Sequence, residues 1–324
     1  MKNFIRKTVF YLVTIWAAVT LNFFIPRLMP GDPVQSLMLR WPQLPSDMQT
    51  ALYKQFGLDK QTSAWSQYWD YWGQLCHGNL GLSFLHYPTP VQDVVFQALP
   101  WTIVLVGLAT VIAFSIGTLT GIVLGWRRGS GSEAVIPFTT FFSSVPYFWI
   151  ALIFIFFFGV KLGWLPMYGS YTNGLLPGWD WGFISSVLVH AIMPALTIVI
   201  SSMAGWIISM RNMMITVSNE DFVTIAQAKG LPEHQVMFAY TARNAILPQI
   251  SGFALSLGFV VSGSLVMEQV FSYQGIGFVL LQAVGSKDYP LMQGIFLVIT
   301  LSVILANILA DVVYAILDPR TRKD

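Results

Sequence analysis

Long apolar runs separated by shorter polar segments dominate the pattern of hydrophobic and polar positions along the chain. Six of these runs reach about 20 residues, the length of helix that crosses a hydrocarbon core of about 30 Å. They cover residues 8–28, 101–126, 135–160, 184–210, 247–271 and 290–316. An unpaired backbone N–H or C=O in lipid has no water to bond, so the runs are predicted to be helical. The pattern therefore predicts an all-α integral membrane protein with six transmembrane helices.

The composition indicates the same class. Of the 324 residues, 55% are hydrophobic and only 10% are charged, whereas an average soluble domain has about 25% charged residues. The net charge of +2 is too small to suggest nucleic-acid binding. The single cysteine, Cys76, excludes an internal disulfide.

Lysine and arginine are distributed unevenly between the two sides of the predicted spans. If the N-terminus lies in the cytoplasm, the cytoplasmic segments hold most of the 17 basic residues, namely Lys2, Arg6, Lys7, Arg127, Arg128, Arg211, Lys229, Arg243, Arg320, Arg322 and Lys323. The positive-inside rule then places both termini in the cytoplasm. Basic residues before an apolar run also fit a signal peptide, but this run extends to about Leu28 without an A-x-A-like cleavage site. Residues 1–28 are therefore predicted to hold an uncleaved first span.

The segment 29–100 is predicted to be a small extracytoplasmic cap between the first two spans, and 101–324 to be the core transmembrane domain. The cap opens with Pro30-Gly31-Asp32-Pro33, which is typical of a turn. Further along, Trp65, Trp69 and Trp72 have the spacing of one helical face. Aromatic residues in this pattern favour a local core or a place at the membrane interface over direct ligand stacking.

Within the spans, small residues and prolines predict packing rather than chemistry. Gly117, Gly121 and Gly125 are four residues apart, which lets another helix approach closely, either within this chain or from another one. Prolines in the third and fourth spans are expected to bend them, namely Pro137, Pro146 and Pro194.

The segment 211–246, between the fourth and fifth predicted spans, is polar and predicted to be cytoplasmic. Glu220 and Asp221 favour the start of a short helix, where the helix dipole attracts anions. Phe222, Ile225 and Ala226 supply its predicted apolar stripe. At its end stand three further residues whose order predicts a helix, a tight turn and a second helix along the membrane face, namely Lys229, Gly230 and Pro232.

The sequence lacks the common motifs for nucleotide hydrolysis and metal binding. The chain has no G-x-x-x-x-G-K-[ST] loop, so it is predicted not to hydrolyse ATP itself, and no H-E-x-x-H or paired C-x-x-C motif. Cys76-His77 is taken as structural. Intramembrane polar residues are candidates for a translocation path, above all His190 and Glu268. Glu268 and Asp311 both lie near span ends, where solvation is expected.

EDFVTIAQAKGL at 220–231, followed by ARNAILP, resembles the conserved loop of ABC-importer permeases of the dipeptide, oligopeptide and nickel family. Other stretches fit the first permease subunit of that family in the same order, namely PRLMPGDPV, SVPYFWIALIFIFFFGVKLGWLP, HAIMPALT, VFSYQGIG, DYPLMQG and LDPRTR. The general permease motif begins with Glu-Ala-Ala, whereas this chain has Thr224, Ile225 and Ala226 at those positions.

The resemblance implies a type I ABC importer in a bacterial or archaeal cytoplasmic membrane. The chain would pair with a second, related permease, two cytoplasmic ATPases and an external solute-binding protein. No cofactor would be held by this chain, because ATP and Mg would bind to the ATPases. The loop would supply the helix that couples the permease to an ATPase, and the residues implied in that role are Glu220, Asp221, Thr224, Ala226, Ala228, Lys229, Gly230 and Leu231.

Several functions stay open at this point. Oligopeptides are the expected solute, with oligosaccharides as the alternative and nickel less favoured. A channel or ATP-independent transporter would also have six spans. The 211–246 segment could alternatively be an interfacial amphipathic helix that has no protein partner. An enzyme is not predicted, because the charge-poor spans offer no convergent catalytic groups.

Overall fold

A computed structural model describes residues 2–29, 53, 63–127, 129 and 134–317. Within these residues the regular structure is helical, as predicted. The α-helices, in chain order, are α1 (Lys2–Arg27), α2 (Ala64–Cys76), α3 (Val91–Trp126), α4 (Val135–Ser144), α5 (Tyr147–Phe154), α6 (Trp181–Val217), α7 (Asp221–Ala228), α8 (Glu233–Gln235), α9 (Arg243–Ala245), α10 (Leu247–Val260), α11 (Leu265–Val270), α12 (Ile276–Ser286) and α13 (Tyr289–Leu317). Two π-helical segments cover Ile155–Lys161 and Val236–Ala242.

Four helices in the described part of the chain are long and apolar enough to cross a membrane. They are Thr8–Arg27, Val91–Trp126, Trp181–Val217 and Tyr289–Ala310. A bent pair, Val135–Ser144 with Tyr147–Lys161, makes a fifth if it is counted as one span. These helices correspond to five of the six apolar runs in the sequence.

The bend of 94° in the third apolar run coincides with one of its prolines. Pro146 stands immediately before α5, and Val145 has extended backbone angles, because a residue before proline disfavours the α region. Pro137 lies in the first turn of α4, where proline is tolerated. Pro194 lies inside α6, which is unbroken. Of the three prolines predicted to bend the spans, Pro146 therefore marks the break.

The run 247–271 is not the single helix that was predicted. The helix α10 has 14 residues and is followed, after a turn, by the six-residue α11. Fourteen residues of α-helix span about 21 Å, short of a hydrocarbon core. The chain turns at 261–264, and Gly263 within this turn has a φ of 71°, a backbone conformation that favours glycine. Apolar composition alone did not reveal this interruption.

The chain divides into two compact units. The first comprises residues 1–102, 261–265 and 274–304, and the second comprises 103–260, 266–273 and 305–324. In the first unit a buried apolar core joins the start of α3 to α12 and the start of α13. Its members are Phe84, Val91, Val94, Val95, Ala98, Ile276, Leu280, Ala283, Tyr289, Leu291, Met292 and Ile295.

A buried carboxylate fastens a loop of the first unit to the start of α13. Asp288 is fully buried, and its Oδ2 accepts hydrogen bonds from the Ser83 hydroxyl at 2.5 Å and the Leu85 N–H at 2.9 Å. Its Oδ1 accepts from the Leu291 N–H at 3.1 Å, in the first turn of α13. Loss of hydration on burial raises the pKa of Asp288, and these hydrogen bonds oppose the rise. We call this arrangement the Asp288 joint.

The tryptophan pattern correctly predicted a helix in the segment 29–100, but not which side chain is buried. The helix α2 begins after Ser63, whose hydroxyl accepts a hydrogen bond from the Ser66 N–H. Tyr68 is its buried residue, whereas Trp65 and Trp69 are 66% and 65% exposed. The hydroxyl of Tyr68 bonds to that of Thr20 at 2.9 Å. The local aromatic core is therefore centred on the tyrosine.

In the second unit, the three spaced glycines of α3 lie against α6 of the same chain. A Cβ added at Gly121 would stand 2.7 Å from the Ile207 carbonyl oxygen, and one at Gly125 would stand 2.9 Å from that of Arg211. A Cβ added at Gly117 would stand 2.8 Å from the Met203 carbonyl oxygen. The predicted close approach of a second helix is confirmed, and the contact is made within the chain.

Candidate functional site

The 211–246 segment folds as the predicted helix, tight turn and second helix. The helix α7 carries Asp221 in its first turn and ends at Ala228, with Lys229 as its C-cap. Gly230 has a φ of 71° and donates its N–H to the Gln227 carbonyl at 2.9 Å, which closes the turn. Pro232 then precedes α8, whose short α-helical turn continues directly into the π-helix Val236–Ala242.

The buried face of α7 differs from the predicted apolar stripe. Val223 and Ala226 are buried in a small cluster with Val236, and three partly buried residues pack against it, namely Trp126, Leu231 and Tyr240. We call these six residues the inner cluster. Phe222 and Ile225, which were predicted to share a stripe with Ala226, are instead 39% and 55% exposed. Residues 222 and 225 and residues 223 and 226 have the same spacing of three, so periodicity alone could not select the buried pair.

The residues that were implied in coupling fall into two groups. Ala226 is buried and Leu231 packs against the inner cluster. The others are exposed on the outer side of the segment, namely Glu220, Asp221, Thr224, Ala228, Lys229 and Gly230. Phe222 and Ile225 share that exposure, although the sequence did not single them out as surface residues.

A second contact holds the segment, and it was not predicted. The indole Nε1 of Trp126, at the end of α3, donates a hydrogen bond to Oε1 of Glu233 at 2.7 Å. The following π-helix is itself tied by a side chain, because the buried Thr241 hydroxyl donates to the Val236 carbonyl five residues earlier, at 3.1 Å. Such π-helical turns are frequent at functional sites. The segment is therefore a defined body with a packed inner face and an exposed outer face.

The two candidate path residues do not form part of this segment. His190 lies in α6, and its Nδ1 stands 2.8 Å from the Ser186 carbonyl oxygen. Glu268 lies in α11 and is fully buried, so the expectation that it is solvated is wrong. The predicted turn at 30–33 and the terminal LDPRTR beyond Leu317 lie outside the described residues, as does the side chain of Asp311.

The described part of the chain offers no obvious place for a metal ion. It contains no group of three or more histidine, cysteine, aspartate or glutamate residues placed to hold one. Cys76 is exposed and free.

Residues 117–323, which include α7 and its turn, match the family of binding-protein-dependent transport system inner membrane components. The match covers more than half of the chain, and the chain belongs to this family of membrane transport components. It is accordingly an inner-membrane protein, and the family is one of transport components rather than enzymes. Its description also implies a binding protein on which transport depends.

Individual relatives align along almost the whole chain. The chain is similar to the oligopeptide transport system permease protein AppB of Bacillus subtilis (strain 168), with 31% identity over 317 residues that cover 98% of both chains. It is also similar to the di/tripeptide transport system permease protein DppB of Pseudomonas aeruginosa (strain UCBPP-PA14), with 35% identity over 339 residues that cover 99% of both.

Proposed function

We propose that this chain is a permease subunit of an ABC importer that carries di- to oligopeptides across the cytoplasmic membrane. The chain pairs with a second, homologous permease subunit and works with two cytoplasmic ATPases and an external solute-binding protein. Support for the solute comes from the relatives, which are named as oligopeptide and di/tripeptide permeases. This chain holds no cofactor of its own, because ATP and Mg bind to the ATPases.

The proposed topology has six membrane crossings and both termini in the cytoplasm. The five spans described above are joined by a sixth in the region 247–271, where α10 and α11 cross together around the turn at Val261–Ser264. An interrupted helix is tolerated at membrane depth where protein surrounds it, and Met267 and Glu268 are both buried. The basic residues Arg211, Lys229 and Arg243 support a cytoplasmic place for the 211–246 segment.

The observation that carries the coupling role is the two-sided character of α7. Its inner face is fixed by the inner cluster, while Phe222 and Ile225 stay exposed on a segment that also carries charged residues. Exposed apolar side chains rimmed by polar ones are typical of protein contact sites. We infer that Phe222 and Ile225 enter a groove on an ATPase and that Glu220, Asp221, Thr224, Ala228, Lys229, Gly230 and Leu231 surround them. Ala226 supports this surface from behind.

Substitution of Ile225 tests the docking surface. Ile225→Glu places a charge in the proposed apolar contact, and burial of an isoleucine side chain is worth about 1.5–3 kcal/mol. We therefore expect retention of the ATPase by the purified permease pair, and uptake of labelled peptides, to fall about tenfold or more. Ile225→Leu keeps an apolar contact, and Gln227→Glu adds the same charge at a neighbouring exposed position. Normal ATPase retention and uptake in the Ile225→Glu complex would contradict the proposal.

Uptake assays decide whether the transported solute is a peptide or an oligosaccharide. Labelled di- to hexapeptides are compared with cello- and xylo-oligosaccharides in cells with and without the chain. The relatives do not favour the oligosaccharide alternative, and loss of peptide uptake alone is expected.

His190 and Glu268 are proposed as residues of the translocation path, so their substitution should alter solute preference without changing ATPase retention.

A further inference from the structure

Trp126 is the last residue of α3, and its side chain reaches the loop segment 211–246 far along the sequence. The indole ring packs against the inner cluster, to which α7 contributes Val223 and Ala226. Trp126 also packs against a second buried cluster of Ile122, Met210, Met214, Ala242 and Ala245, which we call the helix-end cluster. One side chain therefore belongs to the packing of both clusters.

The hydrogen bond of Trp126 also fixes the orientation of its indole ring. Its Nε1 donates to Oε1 of Glu233 at 2.7 Å, across a sequence separation of 107 residues. Glu233 begins α8, immediately after the Gly230 turn. The bond fixes the ring relative to the second helix, while the ring itself touches residues that pack with the first. A sliding apolar contact alone would allow the ring to rotate.

This arrangement gives α3 a contact that the chain connection does not supply. The 211–246 segment follows α6 directly, so a displacement of α7 reaches α6 through the backbone. The helix α3 has no such covalent link to it. Of the residues in the inner cluster, Trp126 comes from α3 and the other five come from 223–240.

We propose that Trp126 is a positioning residue that transmits displacement of α7 and α8 to α3, with Glu233 as its anchoring acceptor. The proposal rests on the coupling role proposed above for the 211–246 segment. Motion of that segment then moves α3 and α6 together, because both are joined to it. If the Trp126–Glu233 contact is broken, the ATPase still docks and still hydrolyses ATP, but α3 follows less completely.

The test is the number of peptides imported per ATP hydrolysed, measured in proteoliposomes that contain the complete importer and its binding protein. Trp126→Phe keeps most of the ring packing and removes the donor, and Glu233→Leu removes the acceptor. Each is expected to lower the transport ratio about threefold to tenfold, the range that loss of one hydrogen bond produces. ATPase retention stays at the wild-type level. Glu233→Gln keeps an accepting oxygen and restores the ratio, and Trp149→Phe, at an exposed position in α5, serves as the matched tryptophan control.

The double variant Trp126→Phe with Glu233→Leu distinguishes a shared contact from two separate defects. Because both changes break the same bond, the double variant should have the transport ratio of either single variant. A multiplied loss, or a wild-type ratio in the single variants, overturns the proposal. A proportional fall in uptake and ATP hydrolysis together also overturns it, because that is the result of a merely structural role.

Failure of this inference is separable from failure of the coupling role itself. If Ile225→Glu releases the ATPase while Trp126→Phe leaves the transport ratio unchanged, the docking surface stands and the role of Trp126 does not. If Ile225→Glu leaves the assembled complex and its uptake intact, the docking surface is wrong.

Discussion

The Asp288 joint and the 211–246 segment hold their chain segments in opposite ways. At the Asp288 joint, a fully buried carboxylate accepts three hydrogen bonds from Ser83, Leu85 and Leu291. In the 211–246 segment, the inner cluster is apolar and Phe222 and Ile225 are left exposed. Buried polar contacts of the first kind specify one geometry, because any displacement leaves donors unpaired. The apolar contacts of the inner cluster fix one face of α7 and leave its other face free.

The difference indicates that the Asp288 joint stabilises the fold, whereas the 211–246 segment presents a surface for binding a partner. The joint has no exposed acceptor left to offer a partner, since Asp288 is fully enclosed. In the 211–246 segment, the hydrogen bond from Trp126 to Glu233 lies at an exposed site, and apolar residues lie on both faces of α7. Substitutions at the joint should therefore change stability, whereas substitutions on the outer face of α7 should change assembly and transport. The following three predictions test this division, from the largest effect to the smallest.

Asp288→Ala should produce the largest loss of stability. The substitution leaves the Leu85 and Leu291 N–H groups and the Ser83 hydroxyl without their acceptor, and buried unsatisfied donors of this kind cost about 3 kcal/mol in total. Thermal unfolding of the purified permease pair measures the effect. Ser83→Ala removes one of the three donors and should cost about 1 kcal/mol. If Asp288→Ala unfolds at the wild-type temperature, the joint is not a structural fastening.

Gly230→Val should produce an intermediate loss within the 211–246 segment. At a φ of 71° a side chain with a Cβ costs about 1–2 kcal/mol, and no neighbouring atom lies within 4 Å, so the cost is conformational rather than steric. Protease cleavage within the segment, followed by mass spectrometry, should increase, and peptide uptake should fall. Gly205→Val is the matched control with open space and an ordinary helical backbone. Equal behaviour of the two variants would show that the turn at Gly230 is not strained by a side chain.

The smallest expected effect is the pH dependence of unfolding that Asp288 contributes. Burial raises its pKa in the folded state, so the folded chain holds a proton more readily than the unfolded chain. This contribution to stability is fully present below about pH 4, the ordinary carboxyl value, and is lost as pH rises through the folded-state pKa. Asp288→Asn should flatten that part of the curve, while Asp93→Asn, at an exposed position in α3, should leave it in place. If the difference in stability between the wild-type protein and Asp288→Asn rises with pH instead of falling, the assignment is wrong.

Local chemistry made the helices and the Gly230 turn predictable. Apolar length identified the four long apolar helices and the bent pair, and Gly230 followed by Pro232 specified where α7 ends and α8 begins. The spaced glycines of α3 predicted close packing, although the sequence did not say that α6 was the partner. The interruption at Val261–Ser264 was missed, because hydropathy averages over a short turn in an otherwise apolar run.

Contacts between distant parts of the chain were not predictable from one sequence. Ser83 and Asp288 are 205 residues apart, and Trp126 and Glu233 are 107 apart, so no local pattern relates them. The same limit applied to the orientation of short helices. Phe222 with Ile225 and Val223 with Ala226 are alternative helical pairs, and the choice between them depends on packing from Val236 and Trp126.

The glycine contact between α3 and α6 has a mechanical consequence. The Met203, Ile207 and Arg211 carbonyls lie in van der Waals reach of α3 at three successive turns, so neither helix can roll about its own axis without lifting off the other. Two helices in contact along their length resist twisting more than either helix does alone. We therefore expect a rotation applied at the end near Trp126 and Met214 to reach the other end of the pair with little twisting of either helix.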